Sequence, residues 1–154
     1  MDHIAPLSPL IKLLFIGALA GLCVAVHAAG LMVMSRWLRT GIQRSAHRYW
    51  TDVWLLVRVS WGLIFLHILE IMIWGVFYAW KGILPDLNTA FYFSSITYTT
   101  VGYGDVVLTS AWRNFSSAEA LVGILMAGLS TSFFFMFLSR LFAHRFNPEK
   151  TDRS

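Results

Sequence analysis

Residues Leu87 to Asp105 read LNTAFYFSSITYTTVGYGD, and the organisation of the whole chain turns on them. A turn at Gly82 to Asp86 comes first, with Pro85-Asp86 suited to starting a helix. The apolar and aromatic run Leu87 to Tyr98 follows, and then a stretch punctuated by glycines that ends at Asp105. The interval Lys81 to Asn114 is too short and too polar to cross a bilayer as one helix and return as another. A half-length helix followed by extended backbone is tolerated at membrane depth only where protein buries it or where it lines water. The segment therefore reads as a re-entrant loop.

Long apolar stretches lie on both sides of it. One runs from about Val53 to Trp80 and another from about Phe115 to Phe142, each longer than the roughly 20 residues that cross a bilayer. An earlier stretch, Pro9 to Met34, is interrupted only by Lys12 and His27. Ser8 suits its N-cap and Pro9 its first turn. Gly17 and Gly21 form a small-xxx-small pair that predicts a close helix approach. The composition agrees with three spans. Of the 154 residues 57% are hydrophobic and only 13% charged, with mean hydropathy +0.63; a soluble domain carries about 25% charged residues.

The net charge of +4 is placed beside the apolar stretches, where it orients a membrane protein and does not make a nucleic-acid surface. Arg36, Arg39, Arg44 and Arg48 lie between the first two spans. Arg140, Arg145, Lys150 and Arg153 lie at or after the end of the third, and no Lys or Arg precedes the first. The positive-inside rule then predicts the N-terminus outside and the connector and C-terminus in the cytoplasm. Arg36 and Arg39 do not continue into a ladder within a span, which argues against steep intrinsic voltage sensing. Cys23 is the single cysteine and reads as a small apolar packing residue. No cleavable signal peptide, metal-ligand cluster or nucleophile–base pair is visible, so no cofactor and no enzymatic activity are expected. The expected division is 1–50 for the first helix and its basic connector, 51–143 for the two-helix unit with its loop, and 144–154 for a short cytoplasmic tail.

Thr100-Val101-Gly102-Tyr103-Gly104-Asp105, TVGYGD, preceded by Thr99 and followed by Trp112-Arg113, resembles the selectivity filter of the potassium channel superfamily. The resemblance covers roughly Trp54 to Leu141. It implies a K⁺-selective channel subunit of a prokaryotic plasma membrane: an all-α protein of three transmembrane helices plus a pore helix, assembled as a homotetramer around K⁺ as the permeant ion. In that family backbone carbonyls replace the ion's hydration shell, which assigns K⁺ to Thr100, Val101, Gly102 and Tyr103. Gly102 and Gly104 permit the backbone angles this requires. Val101 and Tyr103 are expected to turn their side chains away from the ions and pack behind the filter. The Leu87–Tyr98 helix would aim the negative end of its dipole at a hydrated cation. Some bacterial relatives brace the aspartate after the filter with a glutamate and a tryptophan. Ile96 and Phe93 stand at those places here, so Asp105 must find another partner.

The remaining candidates are supporting or gating residues. Glu70 lies inside the second span, three residues after His67, and an acid there reads as a brace of the pore helix, with proton sensing or lining of the ion path as alternatives; Ser94, Ser95, Thr97 or Tyr98 could meet it. His27 reads as an interhelical hydrogen-bonder. Ser116 and Glu119 have the spacing of a capping box at the start of the third span. Thr131, Phe135 and Ser139 recur every four residues and are expected to line an inner cavity, Phe135 as an apolar constriction and Gly123 or Gly128 as a flexing point. A non-selective cation channel or a non-conducting accessory subunit are the competing readings.

Overall fold

A computed structural model describes residues 8–44 and 49–146, and all the regular structure in them is helical. Helix α1 spans Pro9–Arg44, α2 Tyr49–Trp80, α3 Leu87–Tyr98 and α4 Arg113–Phe146. Three of these are long and apolar enough to cross a membrane: Pro9–Leu38, Trp50–Trp80 and Arg113–Ala143. The chain is an all-α membrane protein with one short helix inserted between its second and third spans.

The boundaries follow local chemistry. Ser8 caps α1, its hydroxyl accepting from the Ile11 amide at 3.4 Å. Helix α1 does not stop near Met34; it runs on through the segment expected as a polar connector to Arg44. His47 and Arg48 of that connector, and Lys150 and Arg153 of the tail, lie outside the described residues. Helix α2 ends in a Schellman motif. Gly82 takes φ +63°, its amide bonds the Ala79 carbonyl, and the Ile83 amide reaches Tyr78 O, both at 3.0 Å. Asp86 then caps α3, accepting from Thr89 N at 2.8 Å and from Thr89 Oγ1 at 2.7 Å. These two bonds hold the exposed Asp86 carboxyl below the usual aspartate range.

The helices pack around two apolar cores with a polar layer between them. The core beside α3 joins Trp74, Phe77 and Tyr78 of α2, Phe93 and Tyr98 of α3, and Phe115 and Met126 of α4, with Cys23 of α1 fully buried among them. Phe77 and Phe115 stack there with centroids 5.3 Å apart. The second core gathers Leu38, Leu55, Val59, Leu63, Phe133, Phe137 and Leu141 near the other end. His27, Glu70 and Ser130, all buried, together with His67, occupy the layer between.

The close helix contacts are not at Gly17 and Gly21, which have nothing within 4 Å of where a Cβ would stand. Gly30 instead admits Leu66, Gly62 admits Met34 and Gly75 admits Phe91. The small residues that matter sit opposite large side chains of another helix, which spacing along one helix does not reveal. At the loop end, Lys12 of α1 donates to the Ala111 carbonyl at 2.8 Å, and Lys81 lies 4.5 Å over the Phe15 ring. The start of α1 is thereby fixed beside the end of α2 and the segment that follows Asp105.

Candidate functional site

The Thr100–Asp105 segment grows directly out of the C-terminus of α3. Thr99 caps that helix, donating its amide to Ser95 O at 3.2 Å and its hydroxyl to the same carbonyl at 2.6 Å. Thr100 N then bonds Thr97 O, and Gly102 N bonds Ile96 O, each at 2.9 Å. Thr100 and Gly102 are thus stitched to the last turn of the helix. After that turn the backbone alternates: Thr100, Gly102 and Gly104 take φ of +62°, +54° and +79°, while Val101 and Tyr103 between them do not. Glycine enters this region freely, whereas for a side chain such as that of Thr100 it costs on the order of 1–2 kcal/mol. Thr100 is the only non-glycine among the described residues to do so. Alternation of handedness at every second residue turns successive peptide planes so that their carbonyls can share one side of the strand.

Val101 and Tyr103 are 52% and 73% exposed, so the chain's own residues do not provide the packing expected behind the filter. Beside the backbone of Thr100, Gly102 and Gly104 lies instead a cavity of about 590 Å³, walled by Phe93, Ile96 and Leu108 among others.

Asp105 finds its partner in Tyr92, whose hydroxyl donates to Oδ2 at 2.6 Å. This bond draws the Asp105 carboxyl below the usual aspartate range and raises the Tyr92 phenol above its own. Tyr92 was not foreseen as the partner because it meets Asp105 across 13 positions of chain, beyond the end of the helix that carries it.

Two buried acids hold α3. Glu70 of α2 accepts a hydrogen bond from the Tyr98 hydroxyl, so of the four candidate partners it is Tyr98 that meets it. The other Glu70 oxygen lies 2.8 Å from His27 Nδ1, which brings α1 into the same arrangement. His67 Nδ1 lies 3.0 Å from the Tyr98 hydroxyl. Glu119 of α4 is the second acid, and it is not part of a capping box. Helix α4 begins at Arg113, which places Glu119 beyond the first turn, and Ser116 donates instead to Arg113 O at 2.7 Å. Fully buried, Glu119 accepts from Ser94 Oγ at 2.5 Å and from Tyr78 OH at 2.7 Å. Ser94 and Tyr98 are four residues apart on one face of α3, so one carboxylate from each flanking helix grips that face.

On α4 the residues facing the rest of the chain include Val122, Met126, Ser130, Phe133, Phe137 and Leu141. Thr131, Phe135 and Ser139 fall on the opposite face, exposed, with Phe135 at 70%. Gly123 is buried where α4 crosses the end of α3, and a Cβ there would collide with the Tyr98 carbonyl. Its smallness is used for a close approach. Gly128 has open space around it.

A family model described as "ion channel" matches residues 53–140, more than half of the chain. The match takes in nearly all of α2 and α4 with everything between them, and leaves α1 outside. No curated protein and no solved structure gives a significant match.

Proposed function

Because this chain belongs to the ion-channel family of the two-helix, pore-loop potassium-channel type, we propose that it is the subunit of a homotetrameric, K⁺-selective channel that conducts passively through Thr100–Asp105. The observation that carries this reading is the alternation of positive φ at Thr100, Gly102 and Gly104, immediately after a helix whose C-terminus is bonded to the same segment. A strand of that handedness can present the carbonyls of Thr100, Val101, Gly102 and Tyr103 in a row, with the Thr100 hydroxyl below them. Such a row replaces the hydration shell of a K⁺ ion. The negative end of the α3 dipole favours a cation at the entrance.

One strand cannot surround an ion, so several copies must converge on a common axis. The half-exposed Val101, the exposed Tyr103 and the unfilled cavity beside the filter support that assembly, since each leaves apolar surface that a neighbouring copy would cover. The exposed face of α4 supports Thr131, Phe135 and Ser139 as the lining of the inner cavity. Four copies of Phe135 would narrow it to an apolar constriction that stops ions by dewetting. Glu70, Gly104 and Asp105 support the filter without touching the ion. The filter exit faces outward, together with the N-terminus, in a plasma membrane.

The test is flux from the purified chain alone in liposomes, with bi-ionic K⁺ and Na⁺ gradients. A reversal potential that follows K⁺, with block by external Ba²⁺, is expected. Equal permeability of the two ions would identify a non-selective cation channel, and no flux from the purified chain would identify an accessory subunit.

A further inference from the structure

The sequence shows no metal-ligand cluster, yet the fold assembles one away from the filter. His27 of α1 and His67 and Glu70 of α2 bring one ligand atom each to within 4.8 Å of one another. The two Glu70 oxygens are divided between the imidazoles: Oε1 lies 2.8 Å from His27 Nδ1, and Oε2 lies 3.7 Å from His67 Nδ1. We propose that these three residues form a binding site for a borderline divalent transition metal of the Zn²⁺ class, clamping the first helix to the outer helix of the pore unit.

Three features of the arrangement lead there. The first is distance. Zn²⁺ bonds of about 2.0–2.2 Å in tetrahedral geometry place ligand atoms roughly 3.3 Å apart. The separations of 2.8 and 3.7 Å bracket that value, so shifts of a few tenths of an ångström open one pair and close the other. The second is the far side of each ring. Ser130 Oγ lies 3.3 Å from His27 Nε2 and 3.0 Å from His67 Nε2. When the hydroxyl oxygen accepts from both Nε2–H groups, His27 turns its Nδ1 lone pair toward Glu70, and His67 turns its own toward the Tyr98 hydroxyl, 3.0 Å away, which also bonds Glu70. The His27 lone pair cannot face a carboxylate oxygen at 2.8 Å unless a proton or metal lies between them. A second ring nitrogen fixed by a hydrogen bond is the usual support of a metal-bound histidine. The third is ligand chemistry. Two imidazoles and one carboxylate suit Zn²⁺, Co²⁺ or Ni²⁺ and do not suit Mg²⁺, Ca²⁺ or K⁺, which prefer oxygen throughout.

Access is through His67. Its side chain is 23% exposed, whereas those of His27 and Glu70 are fully buried. It borders a cavity of about 440 Å³ shared with Tyr98, Thr99 and Thr100. A metal entering there displaces the proton that joins His27 to Glu70. The fourth coordination position is left to water.

The experiment reads metal binding and not conductance, so its outcome is independent of the ion the channel conducts. The chain, purified in detergent and stripped with EDTA, is titrated with Co²⁺ and followed by its visible d–d absorption. One Co²⁺ per chain is expected, displaced by Zn²⁺ and unaffected by excess Mg²⁺. His67→Gln should weaken binding at least tenfold, as should His27→Gln. The triple variant His3→Gln, His47→Gln, His144→Gln should bind as the wild type does. Zn²⁺ should raise the melting temperature of the wild type and leave that of His67→Gln where it was. Because His67 is partly exposed, that variant serves even if His27→Gln fails to fold. Absence of a Co²⁺ signal in the wild type, a signal that persists in His67→Gln, or one lost in the triple variant would overturn the proposal.

Discussion

The Glu119 carboxylate lies 2.5 Å from the Ser94 hydroxyl, joining α4 to the middle of the short helix α3. Ser94 also lies 2.8 Å from the Ile71 carbonyl of α2, and the other Glu119 oxygen accepts from Tyr78 of α2. All three helices of the pore unit therefore meet at one acid, about one helical turn before the Glu70–Tyr98 contact that grips the last residue of α3.

Loss of Glu119 should loosen that junction. Glu119→Ala leaves the Tyr78 hydroxyl buried without its acceptor and Ser94 with the Ile71 carbonyl alone, and an unsatisfied buried group costs about 1–3 kcal/mol. Glu119→Gln keeps an acceptor oxygen and should lose less. Thermal unfolding in detergent, read beside the survival of the assembled channel on gel filtration, compares the two. Equal damage from both would mean that the group acts through its charge.

The Tyr92–Asp105 bond makes a prediction about acid. Asp105 titrates below its ordinary value of 3.8 in the folded chain. Its contribution is therefore complete above that ordinary value and is lost as pH falls through the lowered one. Tyr92→Phe removes the donor, so the loss should begin at higher pH in the variant. K⁺ flux measured while external pH is stepped between about 6 and 3 should show the variant failing first. Coincident acid profiles would show that the bond does not support the filter.

Two glycines should separate conformation from space. Gly102→Ala places a side chain at φ +54° in open surroundings, so the chain should fold and assemble while K⁺ over Na⁺ selectivity is lost. Gly123→Ala drives a Cβ into the Tyr98 carbonyl; overpacking of this kind costs roughly 1–3 kcal/mol, and a lower melting temperature is expected. Gly128→Ala meets nothing and should melt with the wild type. Unchanged selectivity in an assembled Gly102→Ala channel would falsify the carbonyl filter.

The phenylalanines of α4 divide in the same way. Phe133 is buried at 8% exposure, and its truncation to Ala should cost about 3–5 kcal/mol. Phe135, on the face away from the chain's own packing, should cost little stability when truncated and should raise the open probability in single-channel recordings. If Phe135→Ala leaves gating untouched and Phe134→Ala changes it, the face assigned to the inner cavity is wrong.

Much of this architecture was legible in the sequence, and for local reasons. Hydropathy and length mark the three spans because the bilayer imposes them residue by residue. Gly82 and Asp86 end and begin helices through bonds among neighbours three to five positions apart. Thr100 to Asp105 announces its own backbone, because alternating glycines have few other uses. The errors have one cause. Ser116 and Glu119 have capping-box spacing, but where α4 begins depends on the turn from Thr109 to Trp112, and three residues' difference moves Glu119 from the helix end to the interior. Gly17 and Gly21 have the right separation but no large partner opposite them. Tyr92 meets Asp105, Tyr98 meets Glu70, and His27 meets both Glu70 and Ser130 across 13 to 103 positions of chain. The sequence by itself determined the spans, the starts of α1 and α3, and the glycine-permitted turns of the Thr100–Asp105 backbone, since each rests on contacts within a few residues. Only the tertiary structure decided which buried acid holds which hydroxyl, because helix rotation and crossing set those pairs, and no periodicity along one helix records where another will lie.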